Sequence, residues 1–131
     1  EIVARALGCE PGAYSHFAGS LHVYDENEAN ARKYLDEGWQ GTVGAAMPPM
    51  PVGDPWPAIS MWLEAEQAIR CCVPLGVGVG ALAPYWQDLI RLLQVFRCWQ
   101  DGNLEGITTL RSEMTDPVYD EYIADRENKL R

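Results

Sequence analysis

The sequence predicts an α+β chain, and three observations carry that expectation. Residues 13–24 alternate in character, amphipathic helical spacing lies on both sides of them, and a proline-rich run over residues 40–57 precedes an all-helical remainder. Ile2, Val3, Ala6 and Leu7 sit at helical spacing and lead to Gly8, a residue suited to ending a helix. Pro11-Gly12 follows as a turn. From Ala13 onward the period becomes two. Tyr14, His16, Ala18, Ser20, His22 and Tyr24 share one face, and Ser15, Phe17, Gly19, Leu21 and Val23 share the other. This pattern predicts a strand with Phe17, Leu21 and Val23 against a core and with His22 and Tyr24 pointing the same way.

Asp25 is the expected cap of the next helix, with Glu28 completing a reciprocal capping pair and Gly38 stopping the helix after Glu37. Its apolar side is thin, consisting of Ala31, Tyr34 and Leu35. Pro48, Pro49, Pro51, Pro55 and Pro57 then exclude regular structure and predict an extended connector. The chain therefore divides into residues 1–40, a connector over 41–57 and a helical extension over 58–131.

Within the extension, Ile59, Trp62, Leu63, Glu66 and Ile69 share a helix face that Asp54 can cap, with Pro55 in the first turn. The Gly- and Val-rich stretch from Val73 to Pro84 reads as a loop. Its run Gly76-Val-Gly-Val-Gly80 has neither a preceding strand nor the lysine of a phosphate loop, so it reads as a hinge between helices. Tyr85, Leu89, Leu92, Leu93, Phe96 and Trp99 form an apolar stripe closed by Gly102. Asn103 caps a short helix carrying Leu104, Ile107, Leu110 and Met114, and Asp116-Pro117 opens a last one with Val118, Tyr122 and Ile123.

Composition narrows the function classes. The chain has 131 residues, the size of one ordinary domain. Its first residues read as the later turns of a longer helix, so a fragment of a longer protein is expected. A formal net charge of −9 repels polyphosphate backbones and anionic membranes, which excludes both as expected partners. Basic residues are scattered, and Arg126, Lys129 and Arg131 are interleaved with acids. No run reaches the roughly 20 apolar residues of a membrane span. Cys9, Cys71, Cys72 and Cys98 match neither a disulfide scaffold nor paired zinc ligands, so reduced thiols in the cytoplasm, buried as small side chains, are expected and no metal site is predicted. The carboxylate pairs Glu64 with Glu66 and Asp120 with Glu121 are tied to no histidine and read as solvated faces.

The most informative motif is Gly19-Ser20-Leu21-His22-Val23-Tyr24. It resembles the G-D-x-H-x-Y motif of the thymidylate synthase family, which lies on a strand that follows a helix; the resemblance covers roughly residues 1 to 40. It implies a thymidylate-synthase-like C-terminal fragment, helix-strand-helix, followed by a mainly helical extension. In that family the His and Tyr hydrogen-bond the 3′-hydroxyl of the substrate deoxyribose, a role that falls here on His22 and Tyr24. Ser20 stands at the usual Asp position of the substrate site, and Glu26-Asn27 stands where the family has Asn-His.

The resemblance further implies transfer of a one-carbon unit from methylenetetrahydrofolate to C5 of a pyrimidine mononucleotide resembling deoxyuridylate, in a cytoplasmic homodimer. The family's nucleophilic cysteine follows a proline and usually precedes a histidine. No Pro-Cys-His occurs here, so no catalytic residue is assigned. The arginine phosphate signature and the base-reading Asn precede the motif in family sequences and would lie in a missing N-terminal part. Two alternatives stand beside this reading. His22 and Tyr24 can be a hydrogen-bonded pair on a partly buried strand with no ligand, or the chain can be a non-catalytic helical binding or regulatory module that retains the motif.

Overall fold

The structure is a computed structural model and describes residues 1–20, 22–38 and 46–131. It falls into two compact units, residues 1–11 with 46–131, and residues 12–45. Leu21, placed by the alternation on the core face of a strand, lies outside the described residues. So do the boundary at residue 40 and the start of the connector, residues 41–45.

The α+β expectation is overturned. Among the described residues there is no strand, and every regular element is helical. In the smaller unit the backbone runs from Gly12 to Tyr24 without regular structure, reaching a 3₁₀ turn at Asp25–Asn27 and then helix α2, Glu28–Asp36. Phe17 is 93% exposed and Val23 60%, the reverse of the predicted core face. The physical reason is pairing. An alternating segment becomes a strand only when a second strand takes up its N–H and C=O groups, and the described residues contain none. No described residue of this unit is buried. Its helix is held locally. Arg32 grips Glu28 at 2.6 Å, one turn away, and Glu28 therefore serves an ion pair rather than the capping pair with Asp25.

The larger unit begins with one turn and a half of helix, α1 (Ile2–Ala6). Its Arg5 is buried and holds Glu10 at 2.8 Å and Glu1 at 3.3 Å. Glu1 in turn accepts the Met50 N–H at 3.2 Å, which fastens the proline-rich segment to α1. Four helices follow: α3 (Trp56–Arg70), α4 (Pro84–Gln100), α5 (Leu104–Glu113) and α6 (Asp120–Asn128). Their ends are set by local chemistry. The Asp54 carboxylate accepts the Trp56 N–H at 3.1 Å, and Asn103 accepts the Gly106 N–H at 2.9 Å. Asp116 accepts the Val118 N–H at 2.9 Å, just ahead of the 3₁₀ turn Pro117–Tyr119 that leads into α6. At the end of α4, Gly102 (φ +68°) donates to the Trp99 carbonyl and Asn103 donates to the Cys98 carbonyl, the paired bonds of a Schellman motif.

α4 is central, packing against α3, α5 and α6. Val95, Ile107, Tyr119 and Ile123 are buried together, flanked by Leu89, Leu92, Leu110 and Val118. The buried residues of α4 are Trp86, Asp88, Ile90 and Val95; of the predicted stripe, Leu89, Leu92 and Trp99 are partly buried against the core and Phe96 is 41% exposed. A helix with neighbours on three sides buries more than one stripe, and the sequence pattern reports only the widest one.

Candidate functional site

The motif segment places His22 and Tyr24 side by side. Their ring centroids are 5.1 Å apart and the planes meet at 89°, an edge-to-face arrangement. Tyr24 takes up extended backbone (φ −72°, ψ 145°), and in extended chain residues two apart fall on the same side. Both side chains and Ser20 are exposed, and neither ring makes a hydrogen bond among the described residues. An imidazole and a phenol free of protein partners can together donate to and accept from one hydroxyl.

A second pair precedes them in the chain. The Tyr14 hydroxyl and His16 Nδ1 are hydrogen-bonded at 3.0 Å, and both side chains are exposed. His16 is a surface residue with a phenol partner.

The thiols also depart from expectation. Cys9, Cys71 and Cys72 are exposed and Cys98 is half-buried, so three of the four are surface groups rather than buried small side chains. Burial pushes the Cys98 thiol up, and the Asp101 carboxylate adds to the effect. Cys71 and Cys72 are exposed where the Schellman geometry closes α3; exposure of this kind has no periodic signal in sequence.

The glycine run between α3 and α4 packs rather than cradles. A Cβ on Gly78 would stand 2.5 Å from Met61 Cε, the end of a flexible side chain that a larger residue would displace. Among the described residues no group of three or more His, Cys, Asp or Glu side chains converges in a way that could hold a metal ion. No helix among them is long and apolar enough to cross a membrane.

Two clefts flank α3 and α4. One of about 260 Å³ is lined by Ile69, Leu93 and Phe96 together with Glu66, Arg70, Arg97 and Gln100. The other, of about 370 Å³, shares Ile69 and Arg97 and reaches Cys72, Cys98 and Leu110. Near the first cleft the structure reveals a cluster that sequence reasoning missed. Arg126 stacks on Trp99 and Tyr122, at 4.6 and 5.0 Å from the ring centroids. The four-residue spacing of Tyr122 and Arg126 on one helix is the signal that could have found half of it.

Comparison with known protein families, with curated proteins and with solved structures gives no match.

Proposed function

We propose that the chain supplies the sugar-binding part of a pyrimidine-nucleotide C5-transferase of the thymidylate synthase type, with His22 and Tyr24 taking the 3′-hydroxyl of a deoxynucleotide. The observation that carries the reading is the run Gly19-Ser20-Leu21-His22-Val23-Tyr24. It is supported by the 5.1 Å edge-to-face placement of two exposed rings that make no hydrogen bond to the described residues. Ser20 supplies a hydroxyl where the resembled motif has a carboxylate. In this reading the enzyme is cytoplasmic, and Phe17, Val23 and Leu35, all exposed, are covered by further sequence or by a second copy in a homodimer.

The residues present do not fit methylenetetrahydrofolate. None of the described residues of the unit that carries the motif is buried, so these residues build no walled slot for a pterin ring, and no step is derived through it. The proposal is therefore one of nucleotide binding by this chain, with the attacking thiolate supplied from outside it.

The test is titration of the full chain with 2′-deoxyuridine 5′-monophosphate and with its 2′,3′-dideoxy analogue, following the His22 and Tyr24 ring resonances. The deoxynucleotide should move both sets and bind roughly 2- to 10-fold tighter per hydrogen bond to the 3′-hydroxyl. Identical responses to the two nucleotides, or unchanged affinity in a His22→Ala/Tyr24→Phe variant, would sink the assignment.

A second reading, a non-catalytic helical binding module, is favoured by one observation: the buried core lies in α4, α5 and α6, and the motif-bearing unit has no buried residue described.

A further inference from the structure

Phe96 and Trp99 on α4 and Tyr122 and Arg126 on α6 form a continuous surface stack. The Phe96 and Trp99 centroids are 5.9 Å apart, and the Arg126 guanidinium lies over both the Trp99 and the Tyr122 ring. Phe96 and Tyr122 are 41% and 38% exposed. Phe96 is also a wall of the cleft between α3 and α4, whose apolar lining is completed by Ile69 and Leu93. α3 packs mainly on α4, so these two helices bound the groove.

The electrostatics of the patch set it apart. Arg5, Arg32, Arg70, Arg91, Arg97 and Arg111 each hold a carboxylate. Arg126 holds none among the described residues, and its Nε is buried without an acceptor. In a chain of net charge −9, a cation fixed by two aromatic rings has therefore been left unneutralised. Its side chain is already ordered, so binding through it costs little further rotamer entropy. Trp, Tyr and Arg are the residue types that carry most of the energy at interface hot spots.

We infer that this face docks an acidic amphipathic helix of a partner protein, which sets a carboxylate on Arg126 and apolar side chains into the Ile69–Leu93–Phe96 cleft. The uncompensated cation selects an anionic group, and the apolar cleft beside it selects a helix carrying apolar residues next to that acid. A second copy of this chain is the competing occupant, and the dependence of its association on Arg126 separates it from a partner helix in the test below. The inference is independent of nucleotide binding by His22 and Tyr24.

Two synthetic peptides of about 16 residues, long enough to sustain a helix, test it. One carries Leu at helical spacing flanked by Glu, and the other has Gln for every Glu; each is titrated against the isotopically labelled full chain. The acidic peptide should move the Trp99 indole and Arg126 Nε–H signals and bind about tenfold tighter than the Gln peptide. Arg126→Glu should abolish that preference and favour a Lys-flanked version of the same peptide. Should Arg126→Glu lose its helical circular dichroism, Arg126→Gln is read in its place and should level the Glu and Gln peptides. Equal binding of the Glu and Gln peptides to the parent chain overturns the proposal, as does a preference that survives loss of Arg126. So does sedimentation equilibrium showing a dimer that the Arg126 variant dissociates, which would make a second copy the occupant.

Discussion

Asp88 Oδ2 accepts the backbone N–H of Asp116 at 2.9 Å, joining the second turn of α4 to the turn that leads into α6. The same carboxylate takes the Thr115 N–H at 3.0 and 3.2 Å and Arg91 Nη1 at 2.7 Å, and the residue is 1% exposed. A buried carboxylate is tolerable here because donors surround it, and those donors depend on it in turn.

Asp88→Ala should therefore lower stability by about 3 kcal/mol, since two backbone N–H groups lose their acceptor inside the bundle. Asp88→Asn should be nearly as damaging, because one acceptor becomes a donor facing N–H groups. Urea denaturation measures both, and an Ala variant within about 0.5 kcal/mol of the parent would refute the assignment.

Arg111 joins α5 to α6. Its Nε and Nη2 meet the two oxygens of Asp120 at 2.6 and 2.8 Å, and Nη1 meets the buried Glu127 at 2.7 Å. Hydrogen bonding to Arg111 holds the Asp120 carboxyl below its ordinary value. A carboxyl with a lowered folded-state value stabilises the fold above the unfolded-state value, and that contribution fades as pH falls through the folded one. Thermal melts should thus show Tm declining as acid is added below about pH 4. Arg111→Met should lower Tm at neutral pH and flatten that part of the acid decline. An unchanged acid profile in the variant would mean the Asp120 pair contributes nothing.

α3 ends in the same Schellman geometry as α4, with Cys72 donating to the Ile69 carbonyl and Val73 donating to the Ala68 carbonyl. The residue in the left-handed position is Gly102 in one case and Cys72 (φ +56°) in the other. A side chain there costs roughly 1 kcal/mol that glycine avoids, partly offset by glycine's greater entropy when unfolded. Cys72→Gly should stabilise the chain by about 0.5 kcal/mol, with Cys72→Ala as the neutral control. Destabilisation by the glycine variant would show that the Cys72 side chain packs in the neighbouring cleft more strongly than its backbone is strained.

Helix ends were largely legible in sequence, because a cap or a Schellman turn closes over a few consecutive residues. Gly8, Gly102, the Asn103 cap and the Asp116-Pro117 start could all be read that way. The nucleotide candidates His22 and Tyr24 were legible as neighbours for the same reason, since any extended backbone brings alternate residues to one side. What failed was each statement that needed a distant partner. Alternation over residues 13–24 describes faces but supplies no second strand, and Phe17 went to solvent. The buried cysteines proved mostly exposed because helix ends, not residue type, decided where their side chains lie.

From sequence alone, then, came where helices start and stop, the acidic charge and the spacing of the candidate motif, all properties of short stretches of chain. The tertiary structure decided that no strand forms among the described residues, that α4 is enclosed on three sides, and that Asp88 reaches a turn 28 residues further on. It also decided that Arg126 lies against two rings with no carboxylate among the described residues. Those outcomes depend on which surfaces meet across the molecule, and packing, unlike local periodicity, is settled only when all the helices compete for the same core.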